Sequence, residues 1–246
     1  MADALRVESA DDRMIVTLTR PEKMNAIDQR MIDDLHAVCD DLEATPRTLI
    51  INGSGGVFAA GADIAQLRER RAEDARRGIN TQAFRRVRAL PMPVIAAIDG
   101  WALGGGAELA YAADMRIGTP SLRIGNPETG LGIIAAAGAT WRLPEIIGHA
   151  RATEMLLTGR ILDAEEALDW GLVASLHDPE DLLAAAHAIA DRIAANDALA
   201  TRHTKTALRA GADEHPHVEL ELQAELFESP EKERRMTRFL ARKAHR

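Results

Sequence analysis

Two stretches of this chain combine small residues with a helix start in a way that could bind a developing negative charge. They are Ala59-Ala60-Gly61-Ala62-Asp63-Ile64 and, about forty residues on, Gly104-Gly105-Gly106-Ala107-Glu108-Leu109. Gly61 and Gly104 to Gly106 remove side chains where another atom must come close, and the runs that follow read as helices. The first turn of a helix offers unpaired N–H groups and positive partial charge, so two such amides suit one polarised carbonyl oxygen. Glu108 lies three residues beyond Gly105, which puts a carboxylate one turn from that oxygen. Each feature also has a plainer reading. The glycines could simply make tight turns or close helix packing, and Glu108 could be a first-turn acid worth ~0.3–1 kcal/mol against the helix dipole. Glu128, after Pro127 in a turn-rich segment, could be a solvated loop acid.

Other chemistries fit poorly. Gly100, Gly104, Gly105 and Gly106 do not form Gly-x-Gly-x-x-Gly, and no Gly-Lys-Ser/Thr offers a nucleotide loop. Ser54 sits in Gly53-Ser54-Gly55-Gly56, which is not a nucleophile elbow. His215-Pro216-His217 is the one close His pair, has no nearby Cys, and reads as a surface turn, so no metal centre is expected. Trp101, Trp141 and Trp170 lack the basic interleaving of a nucleic-acid platform.

Composition narrows the class. A net charge of −8 argues against a duplex-binding surface, and the longest apolar runs, such as Leu131 to Ala139, are too short for a membrane span. Hydrophobic residues make up 46% of the 246, but aromatics only 3%, so Ala, Leu, Ile and Val must fill the core. Cys39 is alone on the apolar side of a helical pattern, which excludes an internal disulfide and fits a reducing cytosol. The N-terminal Met1 to Glu8 stretch carries acids and no apolar leader, and reads as a mature start. These features predict a soluble cytoplasmic protein.

The elements that must hold the two stretches follow from periodicity. Met14 to Thr19 and Thr48 to Ile51 are strand-like, separated by Asp28 to Leu42, where Met31, Ile32, Leu35, Val38, Cys39 and Leu42 recur at helical spacing. Pro93 to Ile98 predicts a buried strand ahead of the glycine turn and a helix through Ala107 to Ala113. Arg116 to Gly118 and Leu122 to Ile124 predict two short strands. Beyond Ala136 the chain reads as helical apart from a strand-like Leu172 to Ser175, with helices at Asp181 to Ile193 and from Leu220 to Leu240, interrupted at Pro230. Arg68, Arg70, Arg71, Arg76 and Arg77, interrupted by Glu69, Glu73 and Asp74, read as a solvated helix face, with help to phosphates as the alternative. The fold class is α/β, with no linker-like break in composition.

Together with Arg20-Pro21-Glu22-Lys23-Met24-Asn25-Ala26 upstream and Asn126-Pro127-Glu128-Thr129-Gly130-Leu131-Gly132 downstream, these motifs resemble the enoyl-CoA hydratase (crotonase) family, from about Val16 to Phe239-Leu240. The resemblance implies a spiral of ββα repeats over residues 1–190 that binds acyl-CoA, then a helical region over 191–246 used in trimer assembly, as a homo-trimer or a dimer of trimers. It implies that the Ala62 and Gly105 amides form an oxyanion hole and that Glu108 and Glu128 face each other over the substrate. Like charges held close push one carboxyl pKa upward, so such a pair can be part acid and part base near neutral pH. It further implies that Lys23, Asn25, Ala26, Ala60, Asp63 and Ile64 cradle coenzyme A, with Phe239 and Arg242 lent to a neighbouring subunit's site. The implied activity is hydration of a trans-2-enoyl-CoA with no cofactor, coenzyme A being part of the substrate. The alternatives are a 3-enoyl to 2-enoyl-CoA isomerase and a non-catalytic acyl-CoA-binding protein.

One segment departs from the family pattern. Ala135-Ala136-Ala137-Gly138-Ala139-Thr140-Trp141-Arg142-Leu143 stands where Pro-Gly-Ala-Gly-Gly-Thr-Gln-Arg-Leu is common. Ala136 disfavours positive φ, so the turn expected to position Glu128 would change, and Trp141 is expected to add bulk beside the acyl tunnel.

Overall fold

The computed structural model describes residues 4–244, so Met1, Ala2 and Asp3 of the N-terminal stretch lie outside the described residues. Its strands are β1 (Leu5–Ser9), β2 (Arg13–Leu18), β3 (Thr48–Gly53), β4 (Val94–Ile98), β5 (Trp101–Leu103), β6 (Met115–Gly118), β7 (Arg123–Gly125) and β8 (Ile161–Asp163). Five of them form one sheet in the order β1-β2-β3-β4-β6, antiparallel at β1–β2 and parallel thereafter. The other three form a small sheet in the order β5-β7-β8. All of β2 and β4 is buried; β4, paired in parallel on both edges, reads as an unbroken apolar run, whereas β2 also buries Arg13 and Thr17.

Helix α1 (Gln29–Ala44) buries the six residues that its spacing predicts, and Asp28 caps it by accepting the Met31 N–H at 2.9 Å. Leu35 and Met31 are completely buried, each such side chain contributing about 1.5–3 kcal/mol of transfer free energy. Cys39 is buried in the same face, and burial pushes its thiol up to about 12, so it packs as a small apolar residue. Between β3 and β4 run α2 (Ile64–Glu69), α3 (Ala72–Arg77) and α4 (Ile79–Ala89); α5 (Gly105–Ala112) follows β5. Further on come α6 (Ala139–Ile147), α7 (His149–Thr158), α8 (Ala164–Asp169) and α9 (Leu182–Ala194).

The strand expected at Leu172 to Ser175 is absent. Leu172 and Val173 both donate to the Ala167 carbonyl, which turns the chain, and the segment then meets the end of β6 through the Ala174 N–H on the Arg116 carbonyl, the Gly118 N–H on the Ser175 carbonyl and an isolated Gly118–Leu176 bridge, without becoming a strand. The break at Pro230 is where the sequence predicts it, between α11 (His217–Phe227) and α12 (Pro230–Ala244), which follow α10 (Ala198–Ala207). The chain divides into two compact units, Met1–Ala190 and Asp191–Arg246. The first holds both sheets and the apolar core. The second is helical, and exposes Leu220, Phe227, Met236, Phe239 and Leu240. No helix among the described residues is long and apolar enough to cross a membrane.

Candidate active site

The glycine run places α5 against the segment that carries Ala62. A Cβ on Gly106 would lie 2.0 Å from the Ala59 carbonyl oxygen, so only glycine lets the helix start approach this closely. Gly104 has φ 51°, and a Cβ there would stand 3.0 Å from Glu128 Oε1. Gly105 is then the first residue of α5. Ala62 is held differently from the sequence expectation, because it precedes the helix instead of opening it. Its neighbours pair with Ile27, whose N–H donates to the Gly61 carbonyl at 2.8 Å and whose carbonyl accepts the Asp63 N–H at 2.9 Å. That bridge fixes the plane of the Ala62 peptide, and Asp63 rather than Ala62 caps α2. The Ala62 nitrogen lies 3.5 Å from the point a Cβ on Gly105 would occupy. The Ala62 and Gly105 N–H groups have no acceptor among the described residues.

Both amides open into a cavity of about 690 Å³ whose wall also carries Glu108 and Glu128. Most of that wall is apolar, with Ile64, Leu67, Leu103, Leu131, Ile133 and Ile134 on it. Glu108 is 4% exposed, and its Oε1 accepts the Ala137 N–H at 2.7 Å and the Ala139 N–H at 3.1 Å. Burial is the main cause that raises its carboxyl to about 7; the Ala139 hydrogen bond pulls downward and the charge of Glu128 pushes further up. Glu128 is 8% exposed, and burial raises it as well, against the pull of its own backbone N–H and of Asn126. Its Oε2 is buried with no hydrogen-bond partner among the described residues.

Sequence spacing does not single out Asn126 or Tyr111. Tyr111, fully buried and kept neutral by that burial, donates its hydroxyl to Asn126 Oδ1 at 3.1 Å. This contact orients the amide so that Asn126 Nδ2 faces Glu128 Oε1 and the Gly104 carbonyl, both at a long 3.4 Å. The only hint in the sequence is an Asn beside the Pro127 turn.

The alanine-rich segment does something other than expected. Ala136 does not adopt positive φ; Gly138 takes the unusual conformation, with φ 146°. The amides of Ala137 and Ala139 are spent on Glu108, so this turn positions Glu108, not Glu128. Trp141 is likewise off the cavity wall. It lies in α6, 38% exposed, with the Arg88 guanidinium 5.3 Å from its ring centre, so it adds no bulk to this cavity.

The sequence pattern of enoyl-CoA hydratase/isomerase matches residues 12–245. The chain belongs to this family. It is 35% identical to the short-chain-enoyl-CoA hydratase of Clostridium acetobutylicum, over 93% of this chain and 91% of that protein. It is 36% identical to the crotonyl-CoA hydratase of Syntrophomonas wolfei, covering 96% and 95% respectively. Among solved structures, an enoyl-CoA hydratase from Bacillus anthracis superposes with a TM-score of 0.91 at 32% identity, over 97% of this chain and 96% of that one. The mixed α/β core with its helical C-terminal region is thus the crotonase fold.

The residues that the family resemblance assigns to coenzyme A fall into three groups. Ala60 and Ile64 line the cavity, Ile64 being 60% exposed. Lys23, Asn25, Ala26 and Asp63 form the frame beside it. Burial pushes the Asp63 carboxyl up, but the Gln66 N–H, Arg20 and Lys23 outweigh it and hold the group below its ordinary value. Charged Asp63 therefore tethers Lys23 Nζ, 3.6 Å away, and accepts from Ala65 and Gln66 at the start of α2. Asn25 is completely buried, donating to the Ser54 and Val57 carbonyls at 2.9 and 2.6 Å, so its side chain braces the loop. Ala26 accepts from Arg20 at 2.5 Å. Phe239 and Arg242 belong to the second unit, exposed on α12.

Glu108 carries a cost that pH should reveal. A carboxyl whose folded pKa is about 7, against an ordinary 4.5, adds stability that is full below 4.5 and lost as pH rises through 7. The unfolded chain releases this proton first, so unfolding gains from pH 4.5 upward. Glu108→Gln has no such proton and can still accept both amides through Oε1. Its stability relative to the parent is expected to rise between those pH values by up to about 3 kcal/mol, followed by urea unfolding across the range. A constant difference would show that Glu108 titrates normally.

Proposed function

We propose that this chain is an enoyl-CoA hydratase that adds water across the C2–C3 bond of a trans-2-enoyl-CoA. The observation that carries this reading is the pair of buried carboxyl groups, both held above their ordinary range, in one cavity with two acceptor-free backbone amides. In this reading the thioester oxygen lies between the Ala62 and Gly105 N–H groups, which stabilise it as it gains enolate character. Water is held by Glu108 and Glu128. One proton passes from the water to the ionised member of the pair as the oxygen bonds to C3, and C2 takes a proton from the pair, so that atoms and charge balance over the cycle. Glu108, near neutrality, can exist in either form at pH 7. The thioester itself makes C3 electrophilic, so the mechanism calls on no metal or redox group.

The named hydratases among the relatives act on short or crotonyl thioesters, which fits a substrate of this class. A panel of 2-enoyl-CoA thioesters, followed by loss of the conjugated-thioester absorbance, tests the reading. Saturable hydration is expected. Faster conversion of 3-enoyl-CoA than hydration would replace it with the isomerase, and binding without turnover would leave only an acyl-CoA-binding protein.

The reading includes a homo-trimer, alone or doubled to a hexamer, in a reducing cytoplasm. The exposed apolar residues of α11 and α12 and the buried single cysteine support it. Light scattering at micromolar concentration is expected to give a mass in multiples of three chains; a monomer would contradict it.

A further inference from the structure

The cavity has one feature that hydration of a plain alkenoyl group does not use. Arg70, the residue that ends α2, lines it half-buried, among mostly apolar neighbours. Its one hydrogen bond is from Nη1 to Asn80 Oδ1 at 3.3 Å, and it has no carboxylate partner among the described residues. Asp74, also on the wall, does not neutralise it, because its carboxylate accepts the Arg71 N–H at 2.9 Å and pairs with Arg77 at 3.7 Å. A guanidinium cannot shed its proton at working pH, so a permanent charge stands on a mostly apolar wall with a neutral amide as its hydrogen-bond partner, apart from the carboxyls of Glu108 and Glu128 on the same wall.

Asn80 shows which part of a bound thioester this charge would meet. It is 9% exposed, and because Arg70 can only donate, the Asn80 oxygen must face Arg70 and the NH₂ group must face the other way. Nδ2 accordingly stands 3.4 Å from the point a Cβ on Gly105 would occupy, the same point from which the Ala62 nitrogen is 3.5 Å. Arg70 is therefore one side chain removed from the two amides proposed to hold the thioester oxygen. The phosphates of coenzyme A are separated from that oxygen by the whole pantetheine arm. An anion this close to the thioester belongs to the acyl group.

We propose that the preferred substrate is an enoyl-CoA whose acyl group ends in a carboxylate, held by Arg70 with Asn80 fixing the guanidinium. The inference rests on the hydratase reading. The carboxylate would meet a planar fork of N–H donors on a mostly apolar wall, where one charge-assisted bond discriminates against an alkyl end.

The test compares glutaconyl-CoA with pentenoyl-CoA, and the six-carbon dicarboxyl thioester with hexenoyl-CoA, in the parent, in Arg70→Met and in Arg70→Lys. In the parent, kcat/KM is expected to favour at least one carboxyl-ended thioester over its alkyl counterpart by about tenfold or more, the scale of one hydrogen bond to a charged group. Arg70→Met is expected to lower that ratio at least tenfold, and Arg70→Lys to retain part of it. A parent that favours the alkyl thioester in both pairs would overturn the proposal. So would Arg70→Met raising KM for all four alike, which would assign Arg70 to the phosphates. If the parent hydrates none of the four, the hydratase reading falls first.

Discussion

Glu108→Gln and Glu128→Gln are each expected to lower the hydration rate by about 10²–10⁴, the range for loss of an acid–base group, while leaving the affinity for coenzyme A close to the parent's. The substitutions keep size and hydrogen bonding. A glutamine amide oxygen at position 108 can still accept from Ala137 and Ala139, and one at position 128 can still face Asn126, so the cavity wall should stand. What each variant loses is the ability to take or give a proton. Steady-state hydration with thermal unfolding as a control would measure this. A folded single variant with near-parental turnover would remove that carboxyl from the chemistry.

Gly105→Pro should cost about 10²–10³ in rate, the loss associated with one oxyanion donor. The position suits the test. Gly105 is the first residue of α5, where proline is well tolerated because its N–H has no intrahelical partner, and its φ is not in the positive range. The substitution thus removes a donor N–H without removing a helix bond. Circular dichroism would show whether the fold survives, and unchanged turnover in a folded variant would show that the Gly105 amide does not face the thioester.

Much of this is legible in sequence, for identifiable physical reasons. The core strands β2, β3 and β4 and the face of α1 follow from periodicity because burial on both sides of a strand, or one side of a helix, leaves a pattern in residue type. The glycine run marks the close approach of α5 to Ala59 because only glycine fits there. Leu172 to Ser175 misleads because an apolar run with a β-branched residue also packs in a turn: Leu172 and Val173 are tied to Ala167, and only Ala174 and Ser175 pair with the β6 backbone. The role of Ala137 and Ala139 has no signature in residue type, since their contribution is two backbone N–H groups aimed at Glu108. Bulk alone suggests Trp141 for the acyl tunnel, while its ring is drawn to Arg88. Arg70 reads as one of several solvated arginines. Nothing in the spacing distinguishes it from Arg68, which sits exposed two residues earlier. Only the fold brings Asn80 to its guanidinium and turns it into the cavity.

The central claim, that Glu108 and Glu128 act on one water, is tested most directly by hydration kinetics of the double variant beside the two singles. If the pair works as a unit, removing the second carboxyl takes away little that the first loss had left, and the double variant should turn over within a few-fold of the slower single. Losses that multiply, so that the double variant is slower by the product of the two single effects, would mean that the carboxyls act independently and would contradict the shared-water mechanism.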